Sequence, residues 1–110
     1  MFYLTFHKWT VDRSEGMKLL DTHLAWMRDQ QRTGTIIAAG PTPDRKLGII
    51  LLRHMPREEV DAVFSTDPFV KAGFREYDVL AWDAHHVLGI GGFDTKTVMA
   101  MVEADELTDG

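Results

Sequence analysis

The chain contains no cysteine and no concentrated block of basic residues. Without cysteine, neither a disulfide bond nor a thiolate metal site is available, which fits a reducing compartment without requiring one. The formal net charge of −5 argues against nucleic acids and anionic membranes as main partners. We therefore expect neither nucleic acid nor a membrane among the partners of this chain.

Long apolar runs are also missing. No segment approaches the ~20 apolar residues needed to cross a bilayer. The first residues lack the basic region, the long apolar region and the small-residue cleavage site of a signal peptide. We therefore expect a cytoplasmic location.

What is present is typical of one soluble domain. The chain has 110 residues, of which 45% are hydrophobic and 26% are charged. A chain of this length forms a thin core, so oligomerisation is a plausible source of additional stability.

The periodicity of apolar residues predicts six elements. Residues 2–9 alternate between two sets of side chains, as strands do. Apolar positions recur at three- and four-residue steps in a first helix, and apolar runs bounded by turn signals predict the other strands. The predicted helices cover residues 14–34 and 56–66, and the remaining strands cover residues 35–41, 47–54 and 74–82.

The order strand, helix, strand, strand, helix, strand is that of a split βαβ unit. We therefore predict an α+β, ferredoxin-like fold with a four-stranded antiparallel sheet over residues 1–82. Residues 83–110 change in character and form a C-terminal extension, with a possible short helix over residues 94–107. That helix packs on its own subunit or on a partner.

Two helices can cover only one face of such a sheet. We expect Tyr3 and Trp9 on the other face, and the third strand is apolar at almost every position. A second copy of the chain, packed sheet against sheet, is the simplest cover for that face. The sequence thus favours a homodimer or a higher even oligomer.

His23 is the first candidate for chemistry. It lies between Leu19 and Trp26, one helical turn from each. The reference pKa of histidine, ~6.5, suits a general acid or base. From spacing alone, a partly buried histidine that bonds a backbone carbonyl is the more common case.

Asp67 is the second candidate. A carboxylate can hold an imidazole in one tautomer and stabilise its charged form. Asp67 precedes Pro68, so ending a helix is its ordinary alternative role. The predicted fold places both helices on one face of the sheet, which makes contact between His23 and Asp67 possible.

Other motifs are weaker evidence for a functional site. Gly40 and Pro41 either form the floor of a pocket or simply end a strand. His85 and His86 point to opposite sides of an extended chain and rarely chelate one ion, so no metal site is predicted. The glycines at 89–92 do not form a dinucleotide motif, and no nucleophile motif is present.

Four segments together resemble the YciI-like (YCII-related) family. They are "THLAWM", "GTIIAAGP", "DPFVKAGF" and "YDVLAW", and the resemblance extends over residues 1 to about 82. It implies a ferredoxin-like fold that dimerises through its sheets as a dimeric α+β barrel. It also implies a histidine–aspartate pair in a small pocket, with His23 and Asp67 at the matching positions. The chain departs from the family pattern in its short loop between Pro43 and Leu47 and in its tail.

The resemblance also implies an activity. Some relatives resemble lyases or dehydrochlorinases that act on hydroxylated aromatic ring products. We therefore expect His23, oriented by Asp67, to move a proton on a cyclic or aromatic-derived metabolite, giving elimination or isomerisation without cofactor or metal. Residues expected to line the pocket are Tyr3, His7, Trp9, Gly40, Pro41 and Phe69. Lys71 or Arg75 are candidates to attract an acidic substrate, although a solvated surface role is the more common case for each.

Two alternatives stay open at this point. The chain can be a non-catalytic ligand-binding or assembly module, which a fully buried His23 with no cavity beside it would favour. A small oxygenase-like or haem-handling barrel is the weaker alternative, because the fold is shared but no axial-ligand context is evident.

Overall fold

The structure is a computed structural model that describes residues 1–86 of the chain. Its strands are β1 Phe2–Trp9, β2 Ile36–Pro41, β3 Leu47–Leu52 and β4 Arg75–Trp82. Its helical segments are α1 Arg13–Gly16, a 3-10 turn Met17–Leu19, α2 Leu20–Arg32, α3 Arg57–Phe64 and α4 Pro68–Lys71. Most of the predicted C-terminal extension, including the helix over residues 94–107, lies outside the described residues.

The four strands form one antiparallel sheet in the order β2-β3-β1-β4. This order confirms the predicted ferredoxin-like α+β fold, in which the two central strands are β1 and β3. The register places Tyr3 opposite Leu52 on one side of β1, and Trp9 opposite Arg75 on the other. That last pairing positions a charged side chain close to the site described below.

The end of α2 follows from one glycine. Gly34 has φ 78°, a backbone conformation that side chains with a Cβ rarely adopt. The Thr35 amide then donates a hydrogen bond to the Gln30 carbonyl oxygen at 2.9 Å, which satisfies one of the last carbonyls of the helix. The helix stop predicted at Gly34 is therefore confirmed.

The segment around Asp67 contains a helical turn that the sequence analysis did not predict. Helix α3 ends at Phe64, and α4 begins at Pro68, a favoured residue in the first turn because proline lacks an N–H. Asp67 is the N-cap of α4, and its side chain accepts a hydrogen bond from the Phe69 amide. Gly73, with φ 75°, ends this short helix and turns the chain into β4.

The prediction for the two faces of β1 was wrong. Tyr3 and Trp9 were expected on the face away from the helices, but they point towards the helices, as does His7. His7 packs edge-on against Phe64 of α3, and Trp9 packs edge-on against Phe69 of α4. Strand alternation defines two sets of side chains, but both sets of β1 are rich in aromatic residues, so alternation could not say which set is inside.

The core lies between this face of the sheet and the helices. Its members are Tyr3, Trp26, Ile36, Ile50, Leu52, Met55, Val60 and Phe64. Two polar side chains of β1 are also fully buried, because they bond each other: Thr5 Oγ1 lies 2.8 Å from His7 Nε2 and donates to the Ile50 carbonyl oxygen at 2.9 Å.

The opposite side of the sheet, here called the open face, is apolar and partly exposed. Leu80 and Trp82 of β4 are 53% and 46% exposed. Register and alternation place the following apolar side chains on this face, with the charged Asp78 opposite Phe6: Phe2, Leu4, Phe6, Leu47, Ile49, Leu51, Leu80 and Trp82. The predicted apolar face without helices is therefore present, but different residues form it.

Within residues 1–86, no helix combines the length and apolar character that crossing a membrane requires.

Candidate active site

His23 and Asp67, which are 44 positions apart in the chain, are joined by a hydrogen bond. The distance from His23 Nδ1 to Asp67 Oδ1 is 2.9 Å. His23 is 6% exposed and Asp67 is fully buried, so water competes little for either group. The two helical segments that carry these residues, α2 and the α4 N-terminus, pack against each other.

Asp67 is held by the backbone as well as by the histidine. Its Oδ1 accepts from the Phe69 amide at 3.0 Å, in addition to its bond with His23. The carboxylate therefore cannot rotate freely. Its other oxygen, Oδ2, is buried with no hydrogen-bond partner among the described residues.

This arrangement sets the tautomer of His23. An ionised carboxylate only accepts hydrogen bonds, so His23 Nδ1 must donate. In the neutral imidazole, Nε2 then carries the lone pair. The ring is also fixed by stacking on Phe69, with centroids 4.1 Å apart and planes inclined by 22°. Asp67 and Phe69 thus hold the His23 ring in one orientation, and Nε2 is the nitrogen not bonded to Asp67.

A second hydrogen bond joins α2 to the residue that precedes Asp67. Trp26 Nε1 donates to Thr66 Oγ1 at 2.8 Å, and the Trp26 ring lies 5.7 Å from the His23 ring. Trp26 and His23 are three positions apart and therefore share a face of the helix. The Trp26 bond holds that face against the residue that precedes Asp67.

A cavity of about 440 Å³ lies beside His23, within the range of small-molecule sites. Of the predicted site residues, His23, Trp9, Gly40, Pro41, Phe69 and Arg75 line it. The other lining residues are Arg13, Met17, Leu20, Leu24, Met27, Ala39, Arg45, Leu47, Gly48, Ile49 and Ile50. Asp67 does not line the cavity itself and reaches it only through His23.

Two predicted pocket residues lie elsewhere. Tyr3 belongs to the hydrophobic core and is not among the lining residues. His7 is fully buried beneath Phe64 and Tyr77, whose ring centroids lie 4.6 and 5.3 Å from its own. Both side chains point to the helix side, but the cavity opens nearer the Trp9 end of β1. Lys71 is exposed and does not line the cavity either.

His7 is nonetheless electrostatically linked to the site. Thr5 Oγ1 uses its only proton on the Ile50 carbonyl, so His7 Nε2 must be the donor in the bond between them. His7 Nδ1 is then a buried acceptor without a partner among residues 1–86. Burial, and next the positive charge of Arg75, lower the pKa of His7 to about 4, although the charge of Asp67 acts in the opposite direction. His7 is therefore neutral near pH 7.

Arg75 lies further inside than its sequence context predicted. A surface role was the more common expectation, but its guanidinium lies 4.2 Å from the Trp9 ring centroid and 4.7 Å from that of Phe69. Burial lowers its pKa, and the charge of Asp67 opposes that shift. Only the β1–β4 register, which pairs Trp9 with Arg75, could have indicated this contact.

One glycine supports the Trp9 wall of the cavity. A Cβ added to Gly16 would lie 2.1 Å from Trp9 Cζ3, which is shorter than any real contact. The backbone of α1 therefore approaches the Trp9 indole at a distance that only glycine permits. Gly40 needs no such explanation, because a Cβ there would meet nothing within 4 Å.

Among residues 1–86, no three His, Cys, Asp or Glu side chains are grouped so that they could hold a metal ion.

Comparisons with known proteins were made for the whole chain. The family model of the YCII-related domain matches residues 1–83. A search of curated proteins found no match. Among solved structures, the chain is similar to 5-chloro-2-hydroxyhydroquinone dehydrochlorinase from Burkholderia phenoliruptrix AC1100, in complex with 2,5-dihydroxybenzoquinone. That likeness has a TM-score of 0.64 at 22% identity and covers 74% of this chain and 93% of the other.

Proposed function

The chain belongs to the YCII-related family, and we propose that it is a small-molecule enzyme in which His23 transfers a proton and Asp67 positions His23. The observation that carries this proposal is the 2.9 Å bond between His23 Nδ1 and Asp67 Oδ1 beside a cavity of about 440 Å³. A histidine with no cavity beside it would instead have favoured a module that only binds or assembles.

The proposed step is general base catalysis by His23 Nε2. The nitrogen takes a proton from a ring carbon or hydroxyl of the substrate, and Asp67 stabilises the imidazolium that results. In an elimination, the electron pair left on the substrate expels a leaving group as an anion. In an isomerisation, His23 returns the proton to a different atom. Neither outcome needs a cofactor or metal ion, so none enters the proposal.

The choice of substrate class rests on two supports. The lining of the cavity is mostly apolar, which suits a cyclic or aromatic-derived body. The structural neighbour is named as a dehydrochlorinase of a chlorinated hydroxyhydroquinone, a reaction that removes HCl from a ring. We extend to this chain only the reaction class, elimination or isomerisation on a cyclic metabolite.

We also propose that two copies pair through their open faces. The apolar side chains of the open face, which include Leu80 and Trp82, form a surface that a second sheet would cover, and a thin core gains from such burial. The partner in this proposal is a second copy of the chain, as in the dimeric α+β barrel that the resemblance implies.

The experiment that tests the proposed reaction is a turnover screen with matched variants. Halogenated and hydroxylated ring compounds are incubated with the wild type, His23→Ala and Asp67→Asn, while halide release and ultraviolet absorbance are followed. Loss of the general base is expected to lower kcat about 10²- to 10⁴-fold. Asp67→Asn keeps the oxygen that caps α4 but removes the charge, so it should lower kcat while leaving the fold intact.

Lys71→Ala is the matched control, because Lys71 is exposed on α4 outside the cavity. It should turn over substrate like the wild type. Normal turnover by folded His23→Ala would contradict the assignment of His23 as the base.

A further inference from the structure

All the permanently charged side chains that line the cavity are positive. Three arginines line it, Arg13, Arg45 and Arg75, and no Asp or Glu is among the lining residues. This polarity is opposite to that of the chain as a whole, whose formal net charge is −5. A cavity that concentrates positive charge in an acidic protein attracts anions.

Arg75 is the most constrained of the three. Its guanidinium rests against both the Trp9 and the Phe69 ring, at 4.2 and 4.7 Å from their centroids. These two rings meet edge-on with centroids 4.9 Å apart, so they form a corner that fixes the planar group. Gly48 leaves room on another side, because a Cβ there would lie 3.1 Å from Arg75 Nη1.

Arg75 also has no acidic partner among residues 1–86. The ion pairs in that part of the chain use other cations, and Arg75 Nε is buried without a hydrogen-bond partner. A guanidinium stays charged at any physiological pH, and the charge of Asp67 acts on Arg75 without forming an ion pair with it, so this half-buried cation lacks a direct acidic partner among residues 1–86. A ligand anion would supply the missing partner.

Phe69 links this cation to the proposed base. The His23 ring stacks on Phe69 at 4.1 Å, and the Arg75 guanidinium contacts the same ring. His23 and Arg75 also line the same cavity, so a small ring compound held by Arg75 would lie in the cavity that His23 lines. The apolar side chains of α2 that line the cavity, including Leu20, Leu24 and Met27, would contact its body.

We propose that the cavity binds a small cyclic or aromatic carboxylate, with the carboxylate paired to the Arg75 guanidinium and the ring against the apolar wall. The planar fork of arginine matches a carboxylate with two parallel hydrogen bonds, which a single ring oxygen cannot accept in the same way. This inference rests on the proposed function in one respect, that the cavity is the substrate site. It adds the charge and the chemical class of the ligand.

The test measures binding rather than turnover. Titration calorimetry on the full chain compares benzoate, cyclohexanecarboxylate and 1-naphthoate with neutral benzamide. The carboxylates should bind about 10- to 100-fold more tightly than the amide, because a hydrogen-bonded charge pair is lost with the latter. This comparison needs no variant, and equal affinity of benzoate and benzamide for the wild type would overturn the inference.

Variants then locate the interaction. Arg75→Gln should reduce carboxylate affinity about 10- to 100-fold and leave the amide unchanged, whereas Arg75→Lys should recover only part because it offers a point charge. Arg28→Gln, on the same cavity-lining helix but not in the lining, is the control and should bind like the wild type. If Arg75→Gln does not fold, Arg13→Gln replaces it, since Arg13 is exposed, and a smaller loss for carboxylates alone is expected.

Two further measurements distinguish a failure of this inference from a failure of the proposed reaction. Pentafluorophenolate, an anion near neutral pH that offers a single oxygen, should bind more weakly than benzoate, and equal binding through Arg75 would refute the carboxylate assignment. His23→Ala should keep carboxylate binding. Binding without any turnover would sink the proposed reaction and leave this inference standing, while turnover of neutral substrates only would do the reverse.

Discussion

The burial of His7 makes stability depend on pH in a specific window. The pKa of His7 is lowered to about 4 in the folded chain, against about 6.5 in an unfolded one. Well above pH 6.5 the side chain is neutral in both states and contributes no dependence. Below pH 6.5 the unfolded chain binds a proton that the folded chain does not, so stability falls as the pH falls towards 4.

The size of this effect follows from the two pKa values. The full loss is about 3.5 kcal/mol, and it accumulates to about 1.5 kcal/mol at pH 5.5 and about 2.5 kcal/mol at pH 4.5. The physical cause is the buried environment of His7. Once protonated, its Nδ1 would need a hydrogen-bond acceptor, and it has none among residues 1–86. The nearby Arg75 charge adds to the penalty.

Chemical denaturation followed by tryptophan fluorescence checks this prediction, because Trp26 is buried in the core. The wild type and His7→Gln are compared at pH 7.5, 6.5, 5.5 and 4.5 at one protein concentration. Glutamine keeps an N–H that can donate to Thr5 but cannot be protonated in this range. Other titrating groups are common to both chains and cancel in the difference.

The variant should therefore be less stable than the wild type at pH 7.5 but lose less stability on acidification. The decisive quantity is the difference between the two chains in how steeply the free energy of unfolding falls with pH. If both chains lose the same free energy of unfolding between pH 7.5 and 4.5, within about 0.5 kcal/mol, His7 does not take up a proton on unfolding and the reasoning is refuted.

Two further predictions concern the backbone and the open face. Gly73→Ala should lower the free energy of unfolding by about 1–2 kcal/mol, because a Cβ is unfavourable at φ 75°. Gly40→Ala should be nearly neutral, since a Cβ there would meet nothing within 4 Å. Equal losses for the two variants in thermal or chemical denaturation would contradict this prediction. Leu80→Lys should shift the chain from dimer towards monomer in analytical ultracentrifugation, because it places a charge in the proposed sheet interface. Lys71→Glu lies outside that interface and should not change the oligomeric state. A wild-type chain that is already monomeric would refute the proposed pairing.

The element order and the approach of His23 to Asp67 were accessible from the sequence. Periodicity identified the strands and long helices, and the ferredoxin-like topology then placed two helices on one face of the sheet. The resemblance singled out His23 and Asp67 as the pair. Their hydrogen bond is present, while the catalytic roles stay proposals.

Three features were not accessible, each for a physical reason. Alternation in β1 left open which face is inside, since Thr5 and His7 are polar and become compatible with the core only by bonding each other. The four-residue helix α4 is too short for a periodic signal, so Asp67 was interpreted as the end of a helix rather than the start of one. The position of Arg75 depends on the register of β4 against β1, which no local pattern encodes.

The cytoplasmic location and the role of residues 87–110 stay predictions. The absence of cysteine fits a reducing compartment, and the described residues end before the acidic tail.

Asp67 serves the fold and the proposed chemistry with the same oxygen, since Oδ1 both caps α4 and accepts from His23. A relative that abandoned the reaction would still need a capping residue here, and serine, threonine or asparagine would suffice. Among relatives, the residue at this position should therefore vary together with the one at His23. Members with a histidine should keep the aspartate, whereas members without it should drift to neutral caps, which would divide the family into reactive and inert branches from sequence alone.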